Sequence, residues 1–203
     1  MTIAILDYGM GNLPSVARAI EHVGGVPEVT DRPERALKAD GLVVPGVGHF
    51  GACMRNLHER GLDAAIKEFA ASGRPVFGVC VGMQVLFEGS EEDPAVPGLG
   101  LFEGVSRRLP ENVKVPHMGW NTVHWTEPHP YTSGLSSGTR FYFVHSYAPD
   151  IAVGTTVGAV EHGRPFAAAV AIANVFATQF HPEKSQRAGL DLYAGLVKAA
   201  SAT

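Results

Sequence analysis

The chain has 203 residues, of which 45% are hydrophobic, and its 16 basic against 20 acidic side chains leave a formal charge of −4. That length and apolar content suit one domain with a sizeable core, read here as residues 1–203. No run of Lys or Arg forms a stripe that could follow a phosphate backbone, so nucleic acid is not an expected partner. No segment approaches the roughly 20 apolar residues of a membrane span. The opening Met1-Thr2-Ile3-Ala4-Ile5-Leu6-Asp7 has no basic stretch of signal-peptide type, and a soluble cytoplasmic protein is expected.

Ile3–Leu6 reads as a first strand, followed by the turn Asp7–Asn12 and a helix whose Val16, Ala17, Ile20 and Val23 share a face. Gly24-Gly25 ends that helix. A second strand over Val26–Val29 leads through a short helix, Pro33–Lys38, to the apolar run Gly41–Val44 and the turn Pro45-Gly46-Val47-Gly48. One helical stretch is expected over Ala52–Ala71, then the strand Val76–Val79, which delivers the chain to Cys80 with a helix starting just beyond. From Pro94 the texture shifts to β-formers and turns, with strands expected over Asn121–Trp125, Phe141–Val144, Thr155–Val160, Phe166–Ile172 and Val175–Phe180, and a closing helix over Gly189–Ala199. The repeated strand–turn–helix pattern predicts an α/β fold: a central mixed, mostly parallel sheet flanked by helices, its second half more antiparallel.

Two cysteines do not make a disulfide framework, so each is either buried filler or a reactive thiol. Gly78-Val79-Cys80-Val81-Gly82 has the spacing of a nucleophile elbow between strand and helix. The small flanking residues allow a strained backbone, and a thiol at a helix N-terminus is favoured as thiolate, with the Val81 N–H as an oxyanion donor. Read alone, the segment fits a buried Cys in a tight turn equally well. Phe180-His181-Pro182-Glu183 supplies a base and an orienting carboxylate two residues apart in backbone that Pro182 extends. Alone it too could be a surface pair, but both segments end predicted strands, where open α/β sheets carry their sites. Pro45-Gly46-Val47-Gly48 is either a plain turn or the second oxyanion donor, through Val47 or Gly48. Cys53 is expected to pack inertly, and His49, His58, His117, His124, His129 and His162 lack metal-site spacing, so no metal is assigned.

These segments resemble the class I, triad-type glutamine amidotransferases, which carry a G-x-C-x-G elbow and a late H-P-E. Within that family the chain looks like the glutaminases of imidazole glycerol phosphate synthase. The narrower likeness rests on Asp7-Tyr8-Gly9-Met10-Gly11-Asn12 with Ser15-Val16, Pro45–Gly51, Gly82-Met83-Gln84, His117–Asn121, Phe143–Tyr147 and Gln179–Ser185. The resemblance implies a single class I amidotransferase-like domain and a triad of Cys80, His181 and Glu183 that hydrolyses glutamine through a glutamyl thioester. Gln84 and main chain near Gly46, Gly48, Ser146 and Tyr147 would bind the substrate. It implies no cofactor. It also implies a heterodimer with a (β/α)8-barrel cyclase subunit that uses the ammonia in histidine biosynthesis, with Met118, Trp120, Asn121 and Lys184 facing it. On residue chemistry alone Trp120 could equally be a core residue. Val79 and Val81 stand where the family commonly has Ile and Leu, both apolar exchanges that keep the backbone donor.

Overall fold

The structure, a computed structural model, describes residues 1–202. Its first part runs β1 (Thr2–Leu6), α1 (Leu13–His22), β2 (Val26–Thr30), α2 (Pro33–Ala36), β3 (Gly41–Val44), α3 (Phe50–Glu59), α4 (Leu62–Ala71), β4 (Val76–Val79) and α5 (Val81–Gln84). The remainder runs β5 (Phe87–Ser90), β6 (Phe102–Arg108), β7 (His117–Trp125), β8 (Thr139–His145), β9 (Tyr147–Pro149), β10 (Thr156–His162), β11 (Arg164–Ile172), β12 (Val175–Thr178) and α6 (Gln186–Ala200). Nine strands form one sheet in the order β2-β1-β3-β4-β12-β11-β10-β7-β8. Pairing is parallel from β2 to β12 and antiparallel from β12 to β8.

The short apolar runs explain the parallel half. Every residue of β3, β4 and β12 is buried, as expected for strands covered by helices on both faces. α1 lays Val16, Ala19 and Ile20 on the sheet, and α6 buries Leu192, Tyr193 and Leu196. Phe77 on β4 packs edge-on against Phe176 of β12, so aromatic contact joins the two strands that carry the site.

One expectation needs correction, and two details go beyond what the pattern foretold. The helix expected over 52–71 is two helices, broken at Gly61, whose φ of +67° is a left-handed conformation that glycine adopts without strain. The helix after Cys80 is a single turn, because the chain re-extends at once into β5. β5 and β6, with β9, form a separate three-stranded sheet that the pattern did not foretell. No helix among the described residues is long and apolar enough to cross a membrane.

Candidate active site

The site sits at the carboxyl ends of the adjacent parallel strands β4 and β12, where Thr178 pairs with Val79. Cys80 follows β4, its N–H donating to the Thr178 carbonyl at 2.8 Å. Its φ of +56° and ψ of −112° lie in a region that a residue with a Cβ occupies only under strain. The neighbouring glycines make the turn possible. A Cβ on Gly82 would stand 1.8 Å from the Val44 carbonyl oxygen, and one on Gly78 would stand 2.9 Å from the Gly82 oxygen. The elbow is therefore wedged against β3 with no room for side chains on either flank.

His181 is held by its backbone. Its N–H donates to the Tyr142 carbonyl at 2.9 Å, and the Ser185 hydroxyl donates to the His181 carbonyl at 2.7 Å while accepting from the Tyr142 N–H at 3.0 Å. The imidazole Nδ1 lies 2.8 Å from Glu183 Oε1, with the two side chains only 2% and 1% exposed. A carboxylate accepts, so Nδ1 carries the proton and Nε2 is left to face the cavity, where no protein atom hydrogen-bonds it among the described residues. Burial alone would push the imidazole down, but the Cys80 sulfur and the Glu183 carboxylate outweigh it and hold it up at about 10.

Cys80, Val81, Gln84 and His181 line one cavity of about 270 Å³ with Val47, Gly48, Ser146 and Tyr147. Gly46 does not reach its wall but acts on it: the Gly46 carbonyl accepts the Val81 N–H at 3.3 Å. The Val81 N–H, the expected oxyanion donor, is thus occupied by a carbonyl oxygen. Gln84 is buried, and its Nε2 donates to the Tyr147 carbonyl at 2.9 Å and the Gln179 Oε1 at 3.0 Å. With both N–H groups used inside the protein, Gln84 has only its oxygen to offer a ligand. A larger depression of about 580 Å³ between Trp125 and Ser137 is lined by no cysteine, and its Thr132 and Ser133 hydroxyls donate to backbone carbonyls.

A sequence model of the family described as glutamine amidotransferase class-I matches residues 4–193. The imidazole glycerol phosphate synthase subunit HisH of Acinetobacter baylyi is 48% identical over 97% of both chains. That of Methanosarcina acetivorans is 45% identical over 97% of this chain and 98% of its own. The chain belongs to the class I glutamine amidotransferases, in the HisH family. Among solved structures, one described as a glutamine amidotransferase superposes with a TM-score of 0.77 at 18% identity, covering 98% of both chains. The Trypanosoma brucei CTPS glutaminase domain with bound acivicin gives 0.74 at 19% identity, covering 100% of this chain and 94% of that one. At those identities the two structures speak for the amidotransferase fold alone.

Two residues of this amidotransferase site were not singled out by sequence. Glu92 lines the cavity and anchors the Phe50 N–H at 2.7 Å. It follows the unforeseen β5, so nothing in the local pattern aimed it there. Gln179 is fully buried, and its Nε2 lies 3.7 Å from the Cys80 sulfur. Its place directly before Phe180-His181 was the available signal.

The four residues expected to face a partner fall in two groups. Met118 and Trp120 are 60% and 40% exposed, so Trp120 is not a core residue. Its ring meets Tyr142, over which Lys184 Nζ sits at 5.8 Å, so one apolar and cationic surface spans β7, β8 and the turn after His181. Asn121 instead turns into the protein. Its Nδ2 lies 3.2 Å from His117 Nε2, His117 Nδ1 lies 2.9 Å from His145 Nε2, and His145 Nδ1 lies 2.9 Å from the Tyr147 carbonyl. Only one proton order satisfies all three links: the carbonyl must accept, so His145 donates from Nδ1 and accepts at Nε2. His117 then donates from Nδ1 and accepts from Asn121.

Burial, with the stacked His162 beside it, holds His117 down at about 4, and burial with the His117 ring holds His145 at about 3. Folded values below the unfolded one of about 6.5 mean that this stability is complete above that pH. It is lost as the pH falls from there toward about 4. An NMR titration of the imidazoles is expected to find both neutral at pH 6; a proton on either ring at that pH would count against the assigned order.

Proposed function

We propose that this HisH-family glutaminase hydrolyses glutamine at Cys80 and passes ammonia to a (β/α)8-barrel cyclase subunit, which forms imidazole glycerol phosphate and an aminoimidazole carboxamide ribonucleotide in histidine biosynthesis. The observation that carries the reading is a strained, Gly-flanked thiol sharing one small cavity with a buried His181–Glu183 pair. The HisH relatives are subunits of a synthase by name, which supports the partner.

In this reading His181 Nε2 holds the proton taken from Cys80. The thiolate attacks the side-chain amide carbon of glutamine, forming a C–S bond and an oxyanion. Collapse breaks the C–N bond, and the His181 proton leaves with ammonia. Water, deprotonated by His181, then cleaves the thioester to glutamate and returns the proton to sulfur. Glu183 holds Nδ1–H in place throughout, and Gln179 steadies the sulfur. The Glu92 carboxylate and the Gln84 oxygen suit the substrate ammonium, while main chain at Ser146 and Tyr147 suits its carboxylate.

The occupied Val81 N–H makes the unpartnered subunit a slow catalyst. Turning over the Gly46–Val47 peptide would remove the Gly46 carbonyl and bring the Val47 N–H to the same place, giving two donors where there was a donor and a competing acceptor. The Trp120–Lys184 surface and the inward Asn121 are where docking would bias that peptide. Glutamate release from glutamine tests the reading, with the purified chain alone and then with the cyclase and a nucleotide ligand. Stimulation of about 100-fold or more is expected, since one oxyanion donor is worth about 10²–10³ in rate. Equal rates with and without the partner would sink the gate, and no release in any pairing would sink the glutaminase.

A further inference from the structure

Three consecutive carbonyls of the oxyanion loop are each held by a different donor. The buried Tyr8 hydroxyl donates to the Pro45 carbonyl, the Val81 N–H to that of Gly46, and the Cys53 thiol to that of Val47 at 3.6 Å. The two side-chain donors are themselves tied together: Asn56, on the same helix as Cys53, donates to the Tyr8 carbonyl at 2.8 Å. Both side chains are fully buried. Burial pushes the Cys53 thiol up to about 12, so it keeps the hydrogen it donates.

A peptide plane can turn over by opposite rotations about the two bonds that flank it, and the planes on either side then stay nearly where they were. Applied to Gly46–Val47, that motion breaks only the Val81–Gly46 hydrogen bond. The Tyr8 and Cys53 bonds fall on the plane before and the plane after. Gly46 is suited to the turn because it has no Cβ, and a Cβ there would meet the Gly82 nitrogen at 2.3 Å. Resting on the proposed glutaminase function, we infer that Tyr8 and Cys53 are positioning residues that fix the flanking peptides, so that the Gly46–Val47 peptide turns alone and its N–H lands in the oxyanion hole. Neither side chain touches substrate. Their contribution is the aim of the turned peptide, which is felt in the chemical step and not in glutamine binding.

The test compares wild type, Cys53→Ala, Cys53→Ser and Tyr8→Phe, each with the cyclase partner and nucleotide ligand and each alone. Cys53→Ala and Tyr8→Phe are expected to lower the partner-stimulated kcat about 5- to 10-fold, the loss of one hydrogen bond, with KM for glutamine within about twofold. Cys53→Ser, which keeps a donor, is expected to recover most of the rate. Unchanged stimulated kcat in both would overturn the inference. So would a higher rate without the partner, because then the two bonds lock the resting loop. Should Tyr8→Phe fail to fold, the Ala against Ser comparison at position 53 decides alone. Wild type that releases no glutamate with its partner refutes the function and the positioning role together; active wild type with indifferent variants refutes the positioning role only.

Discussion

Cys80→Ala is expected to lower partner-stimulated glutamate release by at least about 10⁴-fold, because no other group in the cavity can form the thioester. Cys53 is no substitute: it is buried and its thiol is committed to the Val47 carbonyl. Alanine keeps a Cβ, so it also keeps the backbone strain of a φ of +56°. Cys80→Gly is equally inert, but it relaxes that strain and is expected to unfold at a higher urea concentration than Cys80→Ala, by about 1 kcal/mol. Activity assays and urea melts of the pair separate the two properties of one position. Residual hydrolysis within 100-fold of wild type would remove Cys80 from the mechanism, and equal melts would mean the elbow is not strained.

A large stability loss is expected from Gly82→Ala. All three nearest atoms to the added methyl are backbone: the Val44 oxygen at 1.8 Å, the Val44 carbon at 2.8 Å and the Pro45 carbon at 3.1 Å. None can rotate away. β3 would have to separate from the elbow, at a cost of about 4 kcal/mol or more, which for many single domains approaches the whole margin. Gly134→Ala, where a Cβ meets nothing within 4 Å and φ is not positive, is the matched control and should change little. Unfolding midpoints, or soluble yield if the variant does not fold, give the comparison. A Gly82→Ala protein as stable as the control would mean that the elbow can move off β3, and the account of its rigidity would fail.

How far the sequence could be read depended on how local the cause was. Val76–Val79 and Gly41–Val44 were visible as strands because residues buried on both faces must all be apolar, a condition a single segment meets by itself. Cys80 and His181 were legible for the same reason, since a strand end, two glycines and a proline are local signs. The Gly61 break was written in the sequence but outweighed by apolar spacing that continues on both sides of it. Glu92 and the three-stranded sheet had no local sign at all. β5 exists because Phe87–Ser90 finds β6 a dozen residues later, and the carboxylate enters the cavity only once that pairing forms. The resting state of the oxyanion loop was out of reach for a similar reason. A peptide plane with two orientations is chosen by a tertiary donor, the Val81 N–H that holds the Gly46 carbonyl, and one string of residues is compatible with both.

The line from Asn121 through His117 and His145 to the Tyr147 carbonyl also constrains how such a protein can change over generations. Each of the two rings must offer one donor on one side and one acceptor on the other. A substitution at any single link reverses or empties a position that its neighbours cannot refill, since they are buried and neutral. Positions 117, 121 and 145 are therefore expected to drift as a set, with a change at one accepted only beside a matching change at another. Surface residues such as Met118, between two of them in the chain, are exposed and lie outside that line. Along one strand, alternate residues answer to different histories: the inward ones to each other, the outward ones to whatever that face meets.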